Sequence, residues 1–200
     1  MRRKVFDVLA SAGGAVLVVV LVVAGALLLW GNSFANSNVH NQLAEQQIYF
    51  PPASAFAHAK AGTEITPGMK PYLLQYAGQQ LLSGPQAEAY ADHFIAVHLS
   101  EMPFGGVYSK VSAAARAATP GTPAATKLAG LEQTVFQGTT LRGLLLEAYG
   151  FWKLGEIALW AAVASFILAG VMAVLVGFGF WHSRRVPVDL ELLKTERAAA

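Results

Sequence analysis

Residues 9–30 read LASAGGAVLVVVLVVAGALLLW, and residues 157–181 read IALWAAVASFILAGVMAVLVGFGFW. Neither run contains a charged residue, and each is long enough to cross a hydrocarbon core, which takes about 20 residues of α-helix. A core helix of a soluble protein is shorter and carries a polar stripe, which both runs lack. The sequence therefore predicts two transmembrane helices on either side of a polar middle.

These two runs divide the 200-residue chain into five parts. The middle contains proline and glycine breakers between helix-length segments and shows no convincing pair of strands. The predicted fold is all-α, with two transmembrane helices that carry an extracytoplasmic helical bundle domain. The expected parts are a cytoplasmic N-terminus (1–8), a first transmembrane helix (9–30), the external domain (31–154), a second transmembrane helix (155–181) and a cytoplasmic tail (182–200).

The charges that flank the two runs predict which side of the membrane each end occupies. Arg2, Arg3 and Lys4 precede the first run, and Arg184 and Arg185 follow the second. Positive residues near the ends of membrane spans stay in the cytoplasm. Both termini should therefore be cytoplasmic and the middle external, which makes the chain a multi-pass protein of the cell membrane with two spans.

A cleaved signal peptide is the alternative for the first run. Ser33, Phe34 and Ala35 place small residues where a signal peptidase would cut. A signal peptide has an apolar core of about 7–15 residues, however, and this run is longer. We therefore expect the first run to be an uncleaved anchor.

Helix boundaries in the middle follow from its prolines and glycines. The first run should continue as a helix through 33–47 and end before Pro51 and Pro52, because prolines cannot continue a helix. A short amphipathic helix over 189–197 of the tail and a frayed tail are equally compatible with the sequence. Further helices are expected within 52–61, over 71–82, 85–102 and 107–118, and from 124 into the second run, with a break at Gly138 left open.

The composition of the chain excludes several kinds of function. Basic and acidic residues balance in the middle, with seven of each between positions 31 and 153. The external domain therefore lacks the basic face that nucleic acid binding needs. The chain has no cysteine, which excludes disulfides, thiolate catalysis and zinc–thiolate sites. We expect no nucleic acid among its partners and no cofactor.

Small residues recur every four positions along the second run. This spacing lets another helix approach closely, which favours helix association in lipid. In the first run Gly14 offers a small residue at the corresponding depth. The seam either joins the two spans of one chain or binds a second copy or another membrane protein. The predicted helix-packing seam comprises Gly14, Ala161, Ser165, Ala169, Ala173 and Gly177.

Titratable residues gather in the helix predicted near 86–102. Asp92, His93, His98 and Glu101 are the candidates for catalysis or metal binding, and a metal site needs about three ligands on one face. At about 100° per residue, Asp92 lies opposite Glu101 and the two histidines lie well apart. We therefore predict no catalytic residue and no metal site, and we interpret His98 as a hydrogen-bonded histidine at the edge of the core.

Two segments resemble a known group of proteins. They are QIYFPP at 47–52, after the first run, and TLRGLLL at 140–146, before the second. In these segments and in its layout, most of the chain resembles uncharacterised two-span membrane proteins of high-GC actinobacteria. The resemblance implies a membrane location and this topology. It implies no activity, ligand or catalytic residue.

The leading functional prediction is a non-enzymatic membrane accessory, scaffold or assembly protein. It would act through its extracytoplasmic helical domain and its helix-packing seam. Its partners would be the lipid bilayer and either another membrane protein or a second copy of the chain. The alternative is an extracytoplasmic ligand sensor that signals through a partner protein, with a small-molecule pocket inside the bundle. An enzyme that uses the four titratable residues is a third interpretation.

Overall fold

The structure is a computed structural model that describes residues 3–187. It is 83% helical, and the described residues form no β-strand. The all-α fold with two long apolar helices is therefore confirmed. The α-helices of the described residues are α1 (Arg3–Gln46), α2 (Ala53–Ala57), α3 (Lys70–Leu73), α4 (Gly84–Tyr90), α5 (Ala96–Glu101), α6 (Tyr108–Ala117) and α7 (Pro123–Arg185).

The chain forms two compact units. The first unit comprises Met1–Ser33 and Glu156–Ala200, and the second comprises Phe34–Gly155. Helices α1 and α7 each contribute to both units. Both helices are long and apolar enough to cross a membrane, with mean hydropathies of 2.8 and 2.5 in their most apolar stretches. The predicted pair of apolar helices is thus present, and the crossing of a membrane stays a prediction.

The expected continuation of the first run beyond residue 30 is confirmed, because α1 continues to Gln46. The helix ends where Gln47 adopts a left-handed backbone with φ 53°, which few residues other than glycine and asparagine favour. Pro51 and Pro52 follow and keep the chain extended until α2 begins at Ala53. The short helix expected within 52–61 is therefore also present.

The prediction of a helix over 71–82 is wrong for the second half of that segment. Helix α3 ends at Leu73, and a 3-10 turn over Leu74–Tyr76 completes the helical segment. Gly78 then adopts φ 72° and donates its N–H to the Pro51 carbonyl at 3.1 Å. The chain beyond it is extended, and Gln80 forms an antiparallel bridge with Tyr49. This backbone pairing with a distant segment replaces the hydrogen bonds that a longer helix would have made.

Helices α4 and α5 are joined by a π-helical turn over Ala91–Ile95, so the helix expected over 85–102 is present with one irregularity. The Ala96 N–H bonds to the Ala91 carbonyl, five residues earlier rather than four. Ser83 and Gln86 cap the start of α4 with reciprocal hydrogen bonds, the arrangement of a capping box. Helix α6 confirms the helix expected over 107–118.

The core of the second unit is formed by residues of α1, α2, α4, α5 and α7 and of the segments between them. Val39 and Leu43 come from the part of α1 in this unit, and Leu145 comes from α7. Phe56 of α2, Met69 of a 3-10 turn and the extended residue Leu81 are fully buried among them.

Helix α7 is continuous through Gly138, so the break left open at that position is absent. The predicted tail helix over 189–197 lies outside the described residues.

Candidate functional site

In the first unit, α1 and α7 approach each other closely at two glycines of α1. A Cβ atom added at Gly14 would lie 2.7 Å from Cγ2 of Val176, and one added at Gly25 would lie 2.9 Å from Cζ of Phe166. Because the numbers of the facing residues rise along α1 and fall along α7, the two helices are antiparallel. Glycine at these positions lets the backbones come close together.

The covered face of each helix in this unit has a regular spacing. Buried and half-buried residues alternate at intervals of three and four, which average 3.5, the repeat of helices that pack side by side with interlocking side chains. On α1 the covered residues include Ser11, Gly14, Val18, Leu21, Gly25 and Leu28, and on α7 they include Ala162, Ser165, Ala169, Met172, Val176, Gly179 and Ser183.

The predicted row of small residues crosses this face instead of following it. Each step of four residues rotates by about 40° beyond a full turn. Ala161 and Ser165 are therefore half-buried, Ala169 is buried with 4% exposed, and Ala173 and Gly177 are exposed. A Cβ added at Gly177 would meet no atom within 4 Å among the described residues. The structure thus splits the predicted seam into a covered part and an uncovered part.

A polar group in the same helix pair was missed by the sequence reasoning. Asp7, Ser11 and His182 line a cavity of about 260 Å³. The Ser11 hydroxyl donates to the backbone carbonyl of Asp7 at 2.8 Å. Asp7 Oδ2 is buried, lies 4.0 Å from Nε of Arg3, and accepts no hydrogen bond from the described residues. In the sequence this group is marked by an aspartate among the apolar residues 5–8, but Asp7 precedes the uncharged run that was assigned to the membrane.

In the second unit, three of the four titratable candidates have separate surroundings. Asp92 accepts a hydrogen bond from Arg142 at 2.7 Å, and His93 stacks on Tyr72 with ring centroids 3.5 Å apart. Glu101 is exposed. Within residues 3–187, no group of three or more His, Asp or Glu side chains could hold a metal ion. The structure therefore does not bring these side chains together as a catalytic or metal-binding cluster.

His98, the fourth candidate, lies at the edge of the core as the sequence indicated. It is half-buried, and its Nδ1 lies 2.7 Å from the carbonyl oxygen of Phe94. A carbonyl oxygen can only accept, so Nδ1 carries the proton of this hydrogen bond. In the neutral ring Nε2 is then an acceptor. The interpretation of His98 as a hydrogen-bonded core-edge histidine is confirmed.

Two tyrosines of the second unit have altered acidity. Burial raises the pKa of Tyr90 above its ordinary value of 10.0, and the negative charge of Glu64 raises it further. The charge of Glu88 raises the pKa of Tyr149, with burial and a side-chain hydrogen bond to the same carboxylate as smaller causes. Both phenols therefore keep their protons at neutral pH and can act as hydrogen-bond donors.

The geometry offers two kinds of site, a helix-packing surface in the first unit and an apolar cavity beside His98 in the second. The cavity has a volume of about 290 Å³. Helix packing requires only shape, whereas a cavity with a free acceptor can select a ligand by hydrogen bonding. Comparisons of the chain with protein-family models, with curated proteins and with solved structures found no match.

Proposed function

We propose that the protein is a non-enzymatic integral membrane accessory, scaffold or assembly protein with two spans. The observation that carries this proposal is the uncovered apolar surface of its two long helices. In their most apolar stretches only 6% of α1 and 11% of α7 is buried. Apolar surface in water costs about 25 cal/mol per Å². A bilayer would remove that cost, whereas a soluble core helix is already covered by its own chain.

In the proposed topology both termini are cytoplasmic and residues 31–154 are external. Basic residues at the start of α1 and at the end of α7 support it, since such residues remain on the cytoplasmic side. Arg3 and Lys4 begin α1, and Arg184 and Arg185 end α7. Arg185 also lies over the Trp181 ring at 4.0 Å, and tryptophan is typical of the membrane interface.

Single cysteines introduced into this cysteine-free chain test the topology. Thr119 and Pro187 are both exposed, so a thiol at either position is open to reagent. In intact cells, a membrane-impermeant maleimide should label Thr119→Cys and should label Pro187→Cys only after the membrane is opened. Labelling of Pro187→Cys alone in intact cells would overturn this topology.

The proposed docking surface for a partner is the part of the small-residue row that the chain leaves uncovered. Ala173 and Gly177 of this row are exposed, and at 3.6 residues per turn they lie roughly 70–130° around α7 from the centre of its covered face. Small residues let a second transmembrane helix approach closely and gain packing contacts in lipid. The partner would be a transmembrane helix of another protein or of a second copy of this chain.

A photoreactive amino acid placed at Ala173 tests the docking surface in living cells. It should yield one discrete cross-linked protein species, whose mass distinguishes a second copy from another protein. Val171 is a matched control, because it is also exposed and lies about 160° away around the helix. Equal cross-linking yields at the two positions, or products with lipid alone at Ala173, would contradict the proposal.

A second candidate function is that of an extracytoplasmic ligand sensor that signals through a partner. The cavity beside His98 is the specific observation in its favour. It concerns only the second unit and does not depend on the docking surface.

A further inference from the structure

The cavity beside His98 lies between the end of the α4–α5 segment and α7. It has a volume of about 290 Å³, roughly that of ten liquid water molecules. Its walls are predominantly apolar, and three polar side chains interrupt them. The lining residues are Phe94, Ile95, His98, Leu99, Met102, Thr134, Gln137, Gly138 and Leu141. An apolar concave site with a few polar groups is typical of small-molecule binding.

Two backbone features shape the cavity. The π-helical turn over Ala91–Ile95 holds one residue more than an α-helical turn, so the following side chains lie about 100° from where a regular helix of the same sequence would place them. Ile95 and Leu99 are therefore buried on the same side as Ala91. On the facing helix, Gly138 leaves room for Leu99, because a Cβ there would lie 2.9 Å from Leu99 Cδ2. Single-turn π-helices occur frequently at functional sites.

A series of aromatic rings leads from the core to the cavity. Phe50 packs edge-on against Tyr90 with centroids 5.4 Å apart, Tyr90 stacks on Phe94 at 4.6 Å, and Phe94 lies 4.5 Å from His98. Phe94 and His98 both line the cavity, together with the polarisable sulfur of Met102. An aromatic ligand would continue this series and would gain ring–ring and sulfur–ring contacts.

Two of the three polar side chains of the cavity, His98 and Thr134, define the second feature of the ligand. His98 Nδ1 is occupied by the Phe94 carbonyl, so Nε2 of the neutral ring remains as an acceptor. Thr134 donates its hydroxyl hydrogen to the Gly130 carbonyl at 3.0 Å and can only accept from a ligand. Within the described residues, no Asp, Glu, Lys or Arg side chain lines the cavity. An ionised ligand would therefore find no counter-charge in this site.

We infer that this cavity is a binding site for a small uncharged aromatic molecule that carries one hydroxyl group. The ring lies against Phe94 and Met102, and the hydroxyl donates its hydrogen to Nε2 of His98. The site belongs to the second unit and is independent of the partner surface proposed for the first. Binding can therefore fail while the cross-linking result stands, and the reverse also holds.

The probe for this site is 2-naphthol, an uncharged bicyclic alcohol of about the size that the cavity volume allows. Its control is 2-methoxynaphthalene, which keeps the ring but cannot donate a hydrogen bond. Binding is measured by equilibrium dialysis of the full-length protein in lipid nanodiscs, with empty nanodiscs as the background. The protein should bind 2-naphthol roughly tenfold more tightly than the methyl ether, the effect of one neutral hydrogen bond.

Two histidine variants test whether the preference for 2-naphthol depends on Nε2 of His98. His98→Phe keeps a ring beside Phe94 but removes the acceptor, so it should bind both probes equally and weakly. His93→Phe alters the ring that stacks on Tyr72 outside the cavity and should preserve the tenfold preference. Circular dichroism checks that both variants are folded. Three results would overturn the inference: no binding above empty nanodiscs, equal binding of both probes by the unaltered protein, or a preference that survives in His98→Phe.

A second measurement covers the case in which His98→Phe does not fold. In protein labelled with nitrogen-15 at histidine, 2-naphthol should shift the Nε2 resonance of His98, and 2-methoxynaphthalene should leave it in place. Identical spectra with the two probes would refute the hydrogen bond and with it the proposed ligand class.

Discussion

Substitution of Gly14 by alanine tests how closely the two apolar helices pack. The new Cβ would lie 2.7 Å from Val176 Cγ2 and 3.6 Å from Met172 Cε. Carbon atoms prefer a separation of about 3.5–4.0 Å, so the helices must part locally by about 1 Å. Methionine can move its end aside, but valine in a helix is held in one side-chain rotamer. Overpacking of this kind costs about 1–3 kcal/mol.

The matched control is Gly13→Ala, because a Cβ at Gly13 meets no atom within 4 Å among the described residues. Both substitutions exchange glycine for alanine inside α1 and share the same gain in helix propensity, up to about 1 kcal/mol. The difference between the two variants therefore isolates the helix contact. It should amount to about 1–3 kcal/mol, or roughly a 5- to 150-fold change in the unfolding equilibrium.

The assay is unfolding of the purified protein in mild detergent by titration with dodecyl sulfate, followed by circular dichroism. Gly14→Ala should unfold at a lower dodecyl sulfate fraction than Gly13→Ala. Combining Gly14→Ala with Val176→Ala should recover part of the loss, since it removes the clashing methyl group. If Gly14→Ala and Gly13→Ala have the same midpoint, the close approach described for the helix pair is refuted.

Three further predictions concern the second unit. Gly84→Ala should destabilise the protein by about 1–3 kcal/mol, because its Cβ would overlap the Trp152 side chain. The control Gly143→Ala should show no loss of stability, since a Cβ there meets no described atom within 4 Å, and equal unfolding midpoints of the two variants would contradict this prediction. The raised pKa of Tyr90 stabilises the folded state below about pH 10, and this stabilisation is lost as the pH rises further, because the unfolded state then releases its proton first. In Tyr90→Phe the free energy of unfolding should therefore fall less steeply at alkaline pH, and an unchanged slope would exclude this cause. Both side chains of the Arg142–Asp92 ion pair are more than one-third exposed. Arg142→Gln should therefore lower the free energy of unfolding by less than about 1 kcal/mol, and added salt should reduce the difference; a larger loss that is independent of salt would show that the pair is more than a surface interaction.

Local residue chemistry accounts for the parts of the fold that could be predicted. Charge-free runs of sufficient length indicate apolar helices, and proline at positions 51, 52, 85 and 103 limits the segments between them. Helix α6 and the α4–α5 segment could be predicted because their breakers lie at their ends. The second half of 71–82 was wrongly predicted to be helical, because its backbone pairs with residues 48–50 and no local pattern encodes that pairing.

The candidate sites were less accessible to sequence reasoning because they depend on contacts between distant segments. Small residues repeat every four positions in the sequence, but the covered face follows a mean spacing of 3.5 residues, and the facing helix decides which spacing is used. Asp7 lies outside the uncharged run, and no local pattern marks it as part of a site. The cavity beside His98 requires the π-helical turn together with Gly138 on another helix, 43 residues after the end of that turn.

The π-helical turn also has a consequence for how the chain tolerates changes in length. A helix behaves as a screw in which each residue adds about 100° of rotation and only 1.5 Å of advance. The wider turn over Ala91–Ile95 takes up one extra residue without turning α5 relative to α4. If the same residues formed an uninterrupted α-helix, Leu99 would turn away from the core by about 100°. Deletion of one residue within the turn would instead give a regular helix and leave Leu99 facing the core, so the chain should tolerate the loss of a residue here better than elsewhere in the α4–α5 segment.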